Sequence, residues 1–157
     1  MRTKTIGLLL LAFVVILTAC GGAARDDTGA ITEEGELDVF ALKVGDCFST
    51  DATDEVSDVG GTPCSEPHDS EVFALADFDA DSSAEWPGQE AIDTFSDESC
   101  TAEFEGFIGL PYAESKYYIS YLQPTEESWA NGDREVVCLV VGEDGEKITG
   151  TLKGVAE

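Results

Sequence analysis

The order of apolar and polar positions divides the chain into an apolar leader, a polar stretch, and a longer part carrying both helical and strand periods. Ile6 to Leu17 contains no charged residue, and Arg2 and Lys4 stand in front of it. A membrane-spanning helix needs about 20 apolar residues, so this shorter run behind basic residues predicts an export signal over residues 1–19. Gly21 to Glu36 holds one large apolar residue, Ile31, among Gly, Ala, Asp and Glu. That composition predicts an anchor and flexible acidic tether over residues 20–36, with order beginning near Leu37.

Residues 37–157 are expected to fold. Leu37 to Val44 alternates loosely and turns at Gly45-Asp46, which predicts a first strand, and residues 50–63 read as an acid-rich loop. Glu71 to Phe78 is the next strand, followed by a loop over 80–88 rich in Asp, Ser, Pro and Gly. From Gln89 the period lengthens. Ile92, Phe95, Ser99 and Ala102 share one side at three- to four-residue spacing, Cys100, Phe104 and Phe107 extend the stripe, and the helix stops between Gly106 and Pro111. Lys116 to Leu122 is strand-like through its aromatic and branched residues, and Thr125 is a candidate cap for a short helical turn. Arg134 to Val141 reads as the most buried strand, and Gly142 to Gly145 turns it into a final hairpin strand, Lys147 to Leu152. The simplest arrangement is α+β: a small antiparallel β-sheet packed against one main helix, braced by two disulfides.

Composition narrows the function. The 157 residues carry 33 Asp and Glu against 8 Lys and Arg, and 43% of the chain is apolar. The apolar fraction supports one core, while the charge excludes non-specific docking onto nucleic acid or onto an anionic bilayer, since phosphate-neutralising clusters are missing. Removing residues 1–19 takes away Arg2 and Lys4 and no acid, leaving 6 bases against 33 acids, a net charge of −27.

Leu17-Thr18-Ala19-Cys20, followed by Gly21, resembles the bacterial lipobox, in which the cysteine takes a diacylglyceryl group and becomes the mature amino terminus. Acyl chains such as palmitate on Cys20 would hold the protein at the outer face of the cell membrane without any basic patch. Cys47, Cys64, Cys100 and Cys138 remain, an even number in an exported chain with three possible pairings. The favoured set joins Cys47 to Cys64 across the acid-rich loop and Cys100 to Cys138 from helix to strand. A metal site built on Cys64-x3-His68 lacks a Cys-x2-Cys or a second His, and Asp77-x-Asp79-x-Asp81 has Ser82 where a calcium loop needs its turn glycine. No metal or other cofactor is expected.

Several stretches carry a further resemblance: Val44 to Phe48, Cys64 to Phe73, Cys100, and Pro124-Thr125-x-x-Ser128-Trp129-x-x-Gly132-Asp133-Arg134-x-x-x-Cys138. Their ordered combination is similar to the actinobacterial septum formation family of exported, membrane-associated domains, over roughly residues 42–153. The resemblance supports the same two cysteine pairings and implies a place near cell division, but brings no catalytic residue.

Three residues remain as candidates for partner binding. His68, the only histidine, is expected to be exposed or at a strand entrance, held by a bond to Asp69 or to backbone, and no Gly-x-Ser-x-Gly elbow accompanies it. Trp129 with Arg134 offers an aromatic and guanidinium patch; the plainer expectation for Arg134 is an ion pair with Asp133, Glu66 or Asp69. The sequence therefore points to a non-enzymatic, lipid-anchored extracytoplasmic domain that binds an envelope protein or cell-wall component. The alternatives are an envelope hydrolase using His68 with nearby carboxylates, and a purely structural accessory domain.

Overall fold

The computed structural model describes residues 22–50 and 57–157. The export signal, Cys20 and part of the acid-rich loop lie outside the described residues. Among those described, no helix is long and apolar enough to cross a membrane.

The core of the molecule is a six-stranded antiparallel sheet. Its strands are β3 (Gly35–Asp38), β4 (Cys47–Ser49), β5 (Asp58–Thr62), β6 (Ser70–Asp77), β7 (Tyr118–Leu122) and β8 (Glu135–Val141), in the spatial order β3-β5-β4-β6-β8-β7. A separate hairpin joins β1 (Ala24–Arg25) to β2 (Ile31–Glu33). The main helix α1 (Gln89–Ile108) covers one face, and a short helix α2 (Glu126–Ala130) precedes β8. The α+β class stands; the sheet is larger than the small one expected, with six strands and a two-stranded hairpin beside it.

Alternation along β8 explains why the sheet buries both faces. Val136, Cys138 and Val140 point toward α1 and pack with Phe73, Cys100, Phe104 and Ile108. Val137 and Leu139 point the other way and pack with Ile31, Leu37, Leu42, Phe48 and Val72. On α1 the buried stripe is Ile92, Ser96, Cys100, Phe104, Phe107 and Ile108, with Ser96 in place of the expected Ala102. Ser96 is accommodated because its hydroxyl bonds the Ile92 carbonyl at 2.8 Å. The helix ends at Gly109, whose left-handed φ of 87° lets its N–H reach the Glu105 carbonyl.

Four expectations need correction. Residues 22–36 do not form a tether throughout: β1 and β2 pair, Ile31 is buried, and the Arg25 guanidinium grips the Asp46 carboxylate, with Nη2 at 2.6 Å from Oδ2. Gly35 permits the close crossing this requires, since a Cβ there would lie 2.3 Å from the Ala23 nitrogen. The first strand is shorter than expected, because Asp38 accepts the Phe40 N–H at 2.9 Å and turns Val39–Ala41 into a 3-10 helix. Within the supposed loop, Asp58–Thr62 is β5, paired to β3 and to β4. The final hairpin strand is missing. β8 already has β6 and β7 on its two edges, so residues 147–152 cross to the β5–β6 connection, where Ile148 bridges His68.

Candidate functional site

Both favoured disulfides are present: Cys47 with Cys64 and Cys100 with Cys138, at Cα separations of 5.2 and 5.4 Å. The first ties β4 to the β5–β6 connection that carries His68; the second ties α1 to β8 through the core.

His68 stands at the entrance of β6, one of its two expected placements, and is fully buried rather than exposed. Its Nδ1 lies 2.8 Å from the Glu66 carbonyl, and since a carbonyl only accepts, Nδ1 carries the proton. Its backbone exchanges both bonds with Ile148, at 2.9 and 2.8 Å. Nε2 is buried with no hydrogen-bond partner among the described residues. A general base needs access to the proton it removes, and the surroundings of His68 close that access.

Glu71 lies in the same buried region. Its carboxylate accepts from the Thr151 hydroxyl at 2.5 Å and from the Leu152 N–H at 2.6 Å, pinning the chain's last segment to β6. Cys47, Cys64 and Glu71 bring possible ligand atoms within 4.8 Å of one another, but the disulfide uses both sulfurs. Burial pushes the Glu71 carboxyl above the usual 4.5, outweighing the bonds from Leu152 and Thr151 and the nearby His68 and Lys153. An acid whose pKa is raised in the folded state gives stability that is full below the unfolded value and is lost as pH rises through the folded one. Glu71→Gln should therefore gain stability relative to the native chain as pH rises from about 4.5. Urea midpoints of both proteins measured across that range check the sign; a constant difference would contradict it.

Trp129 and Arg134 occupy the other end of β6. Trp129 is 2% exposed, with its indole N–H donated to the Ala84 carbonyl at 2.8 Å. The Arg134 guanidinium carbon lies 3.6 Å from a Trp129 ring centroid, a stacked cation–π contact. Its terminal nitrogens donate to backbone: Nη1 to the carbonyls of Trp129 and Asp133 at 2.9 and 2.5 Å, and Nη2 to that of Asp81 at 3.0 Å, while Nε is buried with no hydrogen-bond partner among the described residues. The expected carboxylate partner is replaced by three carbonyls that lock the 81–84 loop, the end of α2 and β8 together; among the described residues, Arg134 makes no ion pair. Thr125 caps α2 in a reciprocal capping box with Ser128, whose hydroxyl also donates to Asp133 at 2.8 Å.

The three candidates do not meet. Phe78 N–H bonds the Arg134 carbonyl at 2.9 Å beyond one end of β6, while His68 lies beyond the other, so the length of the strand separates them by about 25 Å. Each is buried, and none presents the open patch that its residue type suggests.

The sequence profile of the septum formation family matches residues 44–156, covering both disulfides, His68, Trp129 and Arg134. The chain belongs to the septum formation family. No curated protein and no solved structure matches it. The septum formation domain begins after the Arg25 hairpin, so β1, β2 and the Arg25 side of the Asp46 clamp precede the matched region.

The septum formation domain also has a feature that periodicity did not reveal. Phe95 stacks near Phe78 with ring centroids 4.8 Å apart, Phe78 meets Trp129 edge-on at 5.4 Å, and Trp129 meets Trp86 at 5.5 Å. This aromatic chain runs from the buried Arg134 outward to a surface groove of about 510 Å³ lined by Phe78, Pro87, Ala91 and Phe95, with Glu90, Thr94 and Glu98. Its members come from the residue after β6, the 79–88 loop, α1 and α2, and only folding brings those segments together.

Proposed function

We propose that the chain is a lipid-anchored, extracytoplasmic domain that binds an envelope partner during septum formation and does no chemistry of its own. The observation that carries this reading is the closure of both cysteine pairs within a septum formation domain, because such bonds persist in oxidising compartments. Cys20 in Leu17-Thr18-Ala19-Cys20 then supplies the anchor, and acyl chains hold the acidic body at the membrane without a basic surface. The enclosure of His68 and the structural use of Trp129 and Arg134 support binding through another surface rather than hydrolysis.

A strain whose only copy carries Cys20→Ser tests the reading. The variant should leave the membrane fraction, fail to incorporate a labelled fatty acid, and shift the number or position of septa. Full retention in the membrane with an undiminished fatty-acid label would overturn the anchor. Normal septation, both in this strain and after removal of the whole chain, would overturn the link to division.

A further inference from the structure

We propose that the groove between α1 and the 79–88 loop binds an extended basic segment of a partner protein, with a large apolar side chain between two Lys or Arg residues in the order basic-x-apolar-x-basic. The inference rests on the partner-binding reading and gives that partner a chemistry.

The lining supplies the first half of the argument. Phe78 and Phe95 are only half-buried, and with Pro87 and Ala91 they present an apolar surface between two exposed carboxylates, Glu90 and Glu98. An aromatic floor of this kind takes an apolar anchor, and a floor backed by the stacked Trp129 and Arg134 is rigid enough to do so without reordering.

Charge supplies the second half. Within α1, Glu90, Asp93, Asp97, Glu98, Glu103 and Glu105 are unaccompanied by any Lys or Arg. Glu90 with Asp93 and Asp93 with Asp97 place like charges one turn apart, which destabilises a helix, so the start of α1 is held at a cost that a cationic partner beside Glu90 relieves. The neighbouring sheet end is negative as well: Glu135 has its carboxyl raised by burial and by Asp77 and Asp133 beside it. A basic partner matches this end, whereas an acidic or anionic one is repelled.

Spacing fixes the pattern. Glu90 and Glu98 stand eight residues apart on the helix, about 12 Å along its axis. In an extended peptide, positions i, i+2 and i+4 share one face and span about 13 Å. Two basic side chains at the ends of such a face reach the two carboxylates, and the middle side chain faces Phe78 and Phe95.

The test uses the whole chain purified in neutral detergent, from membranes or from the soluble fraction. The probe is a short synthetic peptide with a lysine-serine-phenylalanine-serine-lysine core. Both tryptophans of the protein, Trp86 and Trp129, belong to the aromatic chain behind the groove, so their fluorescence reads occupancy. Saturable binding that weakens with salt is expected, with a loss of about tenfold in affinity for the Glu90→Lys, Glu98→Lys double variant. Thr94→Trp, which fills the groove while leaving the charges in place, should abolish it. Equal binding of a peptide with glutamate for lysine, undiminished binding to both variants, or no saturable response would overturn the proposal. Because the assay is in solution, failure of Cys20 lipidation leaves its outcome unaffected, and failure of the peptide leaves the anchor untouched.

Discussion

Replacing Cys100 and Cys138 together by alanine should lower the free energy of unfolding by about 4 kcal/mol, the larger of the two disulfide effects. The bond joins residues 38 apart in sequence, whereas Cys47–Cys64 spans 17. In the chain-entropy account, the longer loop restricts the unfolded ensemble more, and the shorter one is worth about 3 kcal/mol. Position adds to length. Cys100 and Cys138 are both fully buried where α1 meets β8, among Phe73, Phe104, Val136 and Val140. Losing the bond lets the helix swing from the sheet. Guanidinium unfolding followed by circular dichroism measures the difference, and the thermal midpoint should fall by roughly 10–20 °C. A loss smaller than that of the Cys47, Cys64 double alanine variant would show that α1 is held by its apolar contacts alone.

Trp129→Ala should cost about 3–5 kcal/mol. The ring is one of the largest fully enclosed side chains, and four neighbours depend on it: Phe78 and Trp86 pack against its faces and edges, Ala84 receives its N–H, and Arg134 stacks on it. Removing it leaves a cavity beside Arg134, a residue only 8% exposed, whose guanidinium has lost its aromatic surface. Trp129→Phe separates these contributions. It keeps an aromatic face for Arg134 but surrenders the bond to Ala84, for which about 1 kcal/mol is expected, with a similar amount for lost volume. Urea unfolding of the two variants should therefore differ by about 1–3 kcal/mol. Equal and small losses in both would mean that the Arg134 carbonyl bonds, rather than the ring, hold this end of the molecule.

Much of the architecture was legible where neighbours in sequence cooperate. The three- to four-residue spacing from Ile92 to Phe107 marks α1, and the branched run Val136 to Val141 marks a strand covered on both faces. Thr125 announces α2 because its cap partner is only three residues away. β5 was hidden because Asp58-Val59-Gly60-Gly61-Thr62 has a single large apolar residue; its stability comes from pairing with β3 and β4 rather than from its own side chains. The clamp on Asp46 was equally invisible, since Arg25 finds it across 21 residues.

The candidate site divides in the same way. Residue type alone singled out His68, Trp129 and Arg134, but it says nothing about how much of each side chain reaches solvent. The exposed groove was missed because Phe78, Pro87 and Phe95 carry no chemical signature singly and belong to separate elements.

By itself the sequence determined the helix, the central strands and a cysteine set that closes into two bridges, because periodicity, capping and an even thiol count act through local or compositional rules. Only the tertiary structure decided the strand order, the fate of the last segment, and which side chains are buried. Those depend on which sheet edges are still free when a segment arrives: β8 had none left, so residues 147–152 docked on His68 and Glu71 instead. The same closure of space turned Trp129 and Arg134 inward and left Phe78 and Phe95 at the surface.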